Sequence, residues 1–156
     1  MKIHLLAQTD SIPPYSVAYG RIMCNTDLSV VKVRGFKLGD SLTTILHSET
    51  AILEAQGDDY LYYRVLCDST LSAEISYTFD EKRVLVSIGI EFFESCKHKL
   101  LGHLSDEFLM SIYSYYKNCV NSETNSFQCK SATGVHIDYQ KSKNEKCIIH
   151  TQIEFY

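Results

Sequence analysis

Strict alternation of apolar and polar residues marks the middle of the chain. From Ser72 to Phe79, the residues Ala73, Ile75, Tyr77 and Phe79 alternate with Ser72, Glu74, Ser76 and Thr78. Beyond a turn at Asp80-Glu81-Lys82, Val84, Val86, Ile88, Ile90 and Phe92 repeat the same period. A period of two places alternate side chains on one face of a strand, so one face is buried and the other meets water. With the aromatic, β-rich segment Tyr60 to Cys67, these runs predict a three-stranded antiparallel meander.

Further strands are expected on both sides. Val135, Ile137 and Tyr139 facing Ile149, Thr151, Ile153 and Phe155 across Lys141 to Lys146 predict a closing hairpin. Lys2 to Gln8 reads as a first strand, followed by a loop around Pro13-Pro14. Val17 to Cys24 and Leu28 to Arg34 read as extended runs separated by a turn at Asn25-Thr26-Asp27, and β-branched Val30, Val31 and Val33 favour the second.

In two places the period changes to that of a helix. Asp40 or Ser41 can cap a helix whose apolar face is Leu42, Ile45, Leu46 and, further on, Leu53, with Gly57 as a natural stop. Glu49 falls on the face that should be buried, so Ser48 to Gln56 is ambiguous and an end near residue 48 is an alternative. Ser105 is expected to cap the second helix, with Asp106 and Glu107 complementing its dipole and Leu104 and Leu109 at staple spacing. Its apolar stripe is Phe108, Leu109, Ile112, Tyr113, Tyr116 and Val120, and Asn121 to Ser131 reads as a polar loop.

No boundary or repeat divides the 156 residues. The expectation is one α+β domain, with an antiparallel sheet of about seven to eight strands and two helices packed on one face. That length can close a real core, and 45% apolar with 22% charged residues suits a globular protein.

Charge narrows the partners. A net charge of −4, with the only basic run (Lys141 to Lys146) interrupted by Asn144 and Glu145, argues against a nucleic-acid partner. It suits a basic protein partner instead. The N-terminal apolar stretch Ile3 to Ala7 is too short for a secretion signal and no segment has the length to span a bilayer, so a cytoplasmic protein without a membrane partner is expected. In that compartment Cys24, Cys67, Cys96, Cys119, Cys129 and Cys147 are expected to stay reduced and to act as small apolar residues.

Candidate chemistry does not assemble into an active site. Cys96-Lys97-His98 with His103, and Cys147 with His150, lack the paired spacing of a structural zinc site. No Gly-rich elbow presents a Ser or Cys nucleophile, and no Gly-rich phosphate loop occurs. His150-Thr151 lacks the hydroxyl residue two positions after His that a paired-His phosphoesterase needs, because Gln152 stands there. Neither catalytic residues, nor a metal, nor a cofactor are expected. Recognition residues are better represented: Asp58 and Asp59 before the aromatic strand, Asp106 and Glu107 at the second helix, and outward Tyr62 and Tyr115 among eleven tyrosines.

From Phe36 to Phe92 the order is Leu38-Gly39-Asp40-Ser41, a short helix ending in Leu46, an aromatic strand around Tyr62, and a Phe79-Asp80 hairpin into Val84-Leu85-Val86. This layout resembles that of BamE-like small domains and of several bacterial toxin-immunity proteins. The resemblance covers about a third of the chain. It carries the helix-plus-meander layout and no functional residue, and the lipobox of BamE-like lipoproteins is missing. Together with the small size, acidic balance, surplus of tyrosine and absent catalytic motifs, it implies a cytosolic immunity protein that neutralises a cognate bacterial toxin by occluding its active site, and the acidic and aromatic residues Asp58, Asp59, Tyr62, Asp106, Glu107 and Tyr115 are the partner-binding residues expected from their charge and side chains. Two alternatives are a small Cys/His hydrolase or phosphoesterase, and an adaptor or homodimer that uses the final strand, ending at Tyr156, as an exposed edge.

Overall fold

The computed structural model describes residues 14–67, 71–96, 103–116, 119–123 and 125–156. The strand expected at Lys2 to Gln8 lies outside them. The described elements are α1 (Pro14–Ile22), a 3-10 turn (Leu28–Val30), α2 (Leu42–Ser48), β1 (Ile52–Gln56), β2 (Tyr60–Leu66), β3 (Ser72–Phe79), β4 (Leu85–Ser95), α3 (Leu104–Tyr115), β5 (Val120–Glu123), β6 (Ser126–Lys130), β7 (His136–Lys143) and β8 (Ile148–Phe155). The eight strands form one antiparallel sheet in the order β1-β2-β3-β4-β8-β7-β6-β5. The α+β architecture read from the sequence is the observed one.

The meander stands where the alternation put it, with one local correction. Thr78 pairs with Ser87 but Phe79 pairs with Leu85, so β4 carries one extra residue there. Such a bulge reverses the side on which preceding residues project. Leu85 is therefore buried and Val86 exposed, contrary to the simple period. Asp80 sets the turn by accepting from the backbone N–H groups of Lys82 and Val84, each at 2.9 Å.

Three further expectations are overturned. Val17 to Cys24 is not a strand: Pro14 opens a helix, where its missing N–H costs nothing, and Ala18 and Ile22, four apart, share its buried side. Leu28 to Arg34 is not a strand either. Asp27 caps the 3-10 turn, and Val31 and Arg34 have φ of 50° and 54°, which reverse the chain repeatedly. Val31 and Val33 are buried in the core but belong to none of the strands. Finally, the polar loop of Asn121 to Ser131 contains β5 and β6, and Val120 belongs to β5 rather than to a helix stripe.

Helices cover one face only, and among the described residues three α-helices are present where two were expected. Ser41 caps α2, its hydroxyl accepting from Thr44 N–H at 3.1 Å, and the helix ends at Ser48. The residue at the N-cap of α3 is His103, not Ser105, and its side chain makes no capping bond. The carboxylate of Glu94, an inward residue of β4, accepts from the N–H groups of Leu104 and Ser105 instead. Phe108 of α3 meets Phe92 of β4 and Tyr19 of α1, with ring centroids 5.3 and 4.9 Å apart. Among the described residues no helix is long and apolar enough to cross a membrane.

Four cysteines expected to be reduced are paired as disulfides, Cys96–Cys147 and Cys119–Cys129, with Cα separations of 5.3 and 4.4 Å. Each is the cross-strand pair one step beyond a ladder end. Ser95 pairs with Ile148 and Val120 with Gln128, so antiparallel register brings the next residues face to face. Cys24 is a free, partly exposed thiol, and Cys67 is buried in the core.

Candidate functional site

Opposite the helices, the sheet presents a polar face built from the outward members of each alternating strand. Across its middle, pairing sets residues directly opposite one another. Arg64 stands opposite Glu74, Glu74 opposite Glu91, Glu91 opposite Gln152, and Gln152 opposite Gln140. A neighbouring row runs from Tyr62 through Ser76, Gly89, Glu154 and Asp138 to Gln128.

Two of these contacts oppose like charges, Glu74 with Glu91 and Asp138 with Glu154. Directly opposed like charges destabilise a strand pair. Local hydrogen bonds offset part of that repulsion. His150 Nε2 lies 2.5 Å from Glu91 Oε1, Ser87 donates to Glu154 at 2.7 Å, and Tyr156 donates to Asp138 at 3.1 Å. Arg64, Glu74's cross-strand neighbour, instead pairs with Glu54 at 2.7 Å. Among the described residues, no ion pair or hydrogen bond engages the Glu74 carboxylate.

On the β6–β8 side of the face lies a cleft of about 460 Å³. Asn125, Ser126, Gln140, Ser142, His150 and Gln152 line it. Lys141 also borders it, but its ammonium reaches Asp106 of α3 on the helical side at 3.1 Å. Outside that lining, on β4, the Phe93 ring stacks on His150, centroids 4.5 Å apart and planes 10° apart, and remains 55% exposed.

The six recognition residues read from the sequence fall into two groups on different layers. Tyr62 is exposed on the open sheet face and leans on Tyr60, and Asp58 and Asp59 lie at the adjoining β1–β2 turn. Asp58 lies 3.9 Å from the Arg83 guanidinium. Asp106, Glu107 and exposed Tyr115 belong to α3 on the covered side. No single flat contact takes in both groups. The face residues not singled out from sequence, among them Glu74, Glu91, Asp138 and Glu154, are polar members of alternating runs. Their spacing was legible, whereas their adjacency depends on strand order.

The strand-edge reading also changes place. β8 lies between β4 and β7, so the final strand is internal, and among the described residues the edges are β1 and β5. Every residue of β1 is exposed, but a bulge between Leu53 and Ala55 and the Glu54–Arg64 pair blunt that edge. The lining of the cleft contains a histidine but neither cysteine nor aspartate. Among the described residues no three His, Cys, Asp or Glu side chains are grouped to hold a metal ion.

No protein-family model matches this chain, and searches of curated proteins and of solved structures return no match.

Proposed function

We propose that this is a non-enzymatic recognition protein that binds and neutralises a basic protein partner, in the manner of an immunity protein against a cognate bacterial toxin. The observation that carries the reading is the pair of like-charge contacts on the open face, Glu74 against Glu91 and Asp138 against Glu154. Repulsion of this kind is a cost in the free protein, and a basic surface laid over the sheet relieves it while steering association. Tyr62 supplies an exposed aromatic anchor beside the carboxylates, with Asp58 and Asp59 extending the acidic rim. Occlusion of a toxin's basic active-site face is the corresponding mode of inhibition.

The compartment belongs to the same proposal. Disulfides form and persist mainly in oxidising surroundings. The two pairs support action in such a compartment in place of the cytoplasm read from sequence.

The experiment is co-expression with the toxin encoded beside the gene, followed by calorimetry on the purified pair. Binding with protection is expected. Glu74→Lys with Tyr62→Ala should slow association by about tenfold, while Glu107→Gln with Tyr115→Ala on α3 should leave it unchanged. Neither binding nor protection from that toxin would sink the reading, and loss confined to the α3 variants would move the interface to the helical layer.

A further inference from the structure

Two hydroxyls are sealed between the first turn of α3 and the sheet. Ser105 and Thr151 are fully buried, and among the described residues no hydrogen bond of ordinary geometry engages either side-chain oxygen. Strand register sets them against each other. The Ser105 N–H donates to Glu94 of β4 at 2.9 Å, and its carbonyl accepts from the Tyr139 hydroxyl of β7 at 3.2 Å. Between those strands runs β8, where helix-facing Thr151 pairs with Phe92 on one side and Lys141 on the other. Glu94 lies two residues beyond Phe92 and pairs with Ile149, whereas Tyr139 lies two residues before Lys141 and pairs with Ile153. The line from Glu94 to Tyr139 is thus a diagonal of the sheet with Thr151 at its midpoint, under Ser105. Burial raises the Tyr139 pKa and the Thr151 side chain opposes that rise, which sets Thr151 beside the phenol as well.

We propose that Ser105, Thr151 and Tyr139 hold one internal water molecule that joins α3 to the centre of the sheet. A buried hydroxyl without a partner is costly, and a valine at 151 would match Ile149 and Ile153 on the same face without that cost. Space for the water follows from side-chain size. The neighbouring contact of this layer, Phe92 on Phe108, is filled by two rings with centroids 5.3 Å apart. Ser105 over Thr151 puts two small side chains across the layer, and they do not bond each other directly. Water donates two protons and accepts two, and each of the two hydroxyls can do either. Tyr139 spends its proton on the Ser105 carbonyl and keeps lone pairs for the water. Three partners is the usual number for an internal water. The adjoining Glu94 carboxylate is already committed to the N–H groups of Leu104 and Ser105.

The inference is independent of the toxin reading, and so is its test. Oxygen-17 relaxation dispersion on the purified, oxidised protein counts waters held inside for longer than the molecule tumbles. Water-selective ROESY spectra then locate them. One long-lived water should give cross-peaks to the Ser105 amide and to the Thr151 methyl group. Thr151→Val with Ser105→Ala should remove that water and its cross-peaks, with a thermal melt confirming that the variant is folded. Ser105→Ala alone serves the same comparison if the double variant does not fold, and should shorten the residence time about tenfold. Ser114→Ala, on the exposed side of the same helix, should change neither measurement. Absence of a long-lived water at these groups in the wild-type protein would overturn the proposal. So would a crystal structure in which Thr151 bonds Ser105 or Tyr139 directly with no water between, or an internal water unaffected by the double variant.

Discussion

Arg34 and Glu49 form a two-pronged ion pair sealed inside the protein. The guanidinium Nε and Nη2 lie 2.9 and 2.6 Å from the two carboxylate oxygens, and the side chains are 2% and 1% exposed. Arg34 also donates to the carbonyls of Arg21 and Ile22 at the end of α1, and Glu49 accepts from Tyr77 of β3 and from the N–H groups of Thr50 and Ala51. One pair thus ties α1, the end of α2 and the sheet together. Taking two ions out of water is costly, and it is tolerated here because nearly every remaining donor and acceptor finds a partner.

Breaking the pair from either side leaves an uncompensated buried charge or unpaired polar group. Arg34→Met and Glu49→Leu are each expected to cost about 3–5 kcal/mol in urea unfolding. The double variant should recover part of the loss. Strict additivity of the two single losses would count against direct coupling.

The same pair sets an acid limit. Burial alone would raise the Glu49 pKa, but the hydrogen bonds from Arg34, then from Tyr77 and Ala51 N–H, together with the Arg34 charge, hold it below its ordinary 4.5. A carboxylate with a depressed folded pKa contributes stability that is fully present above 4.5 and is lost as pH falls through the folded value. Unfolding midpoints measured from pH 7 to pH 2 should decline below about pH 4.5, and Glu49→Gln should flatten that decline.

Buried tyrosines set a limit at the other end. Burial, reinforced by the charges of Asp27 and Tyr115, pushes Tyr116 up to about 12, and its hydroxyl donates to the Leu28 carbonyl. A raised phenol pKa contributes stability that is fully present below 10.0 and fades as pH rises through the folded value near 12. Ultraviolet titration should show a late tyrosine fraction to which Tyr19, Tyr63, Tyr77, Tyr116 and Tyr139 all contribute, and Tyr116→Phe should diminish its component near pH 12. Ionisation of every tyrosine together near pH 10 would contradict this account.

Glu94 is a cap supplied by a neighbouring strand. Glu94→Ala should cost about 1–2 kcal/mol and speed hydrogen exchange at Leu104 and Ser105, the two N–H groups it accepts from. Unchanged exchange at those amides would show that the carboxylate does not hold the helix end.

Peptide mapping without reductant should recover Cys96 joined to Cys147 and Cys119 joined to Cys129. The bridges close separations of 51 and 10 residues. Chain entropy makes the longer one worth about 4 kcal/mol and the shorter about 3. Reduction should therefore lower the melting temperature more when only Cys96–Cys147 is present than when only Cys119–Cys129 is.

Much of the architecture was legible because strands β2, β3, β7 and β8 carry their own period. Ala73, Ile75 and Tyr77 alternate with wet residues whatever they pack against, and Ser41 caps its helix through a contact three residues away. Glu49 was the instructive conflict. It broke the helical stripe since it serves a buried partner fifteen residues earlier, in a segment that reads as a strand by its valines.

What the sequence by itself determined is therefore the local part: the meander, the closing hairpin, α2, and the polarity of one sheet face. Only tertiary structure decided that Val17 to Ile22 is helical, since packing of Ala18 and Ile22 outweighs a weak β preference. It also decided which cysteines meet, because β4 and β8 lie far apart in the chain and adjoin only in the sheet. The opposition of Glu74 to Glu91, and of Gln140 to Gln152, has the same origin. Period is a property of one strand, whereas a site on a sheet is a property of strand order and register.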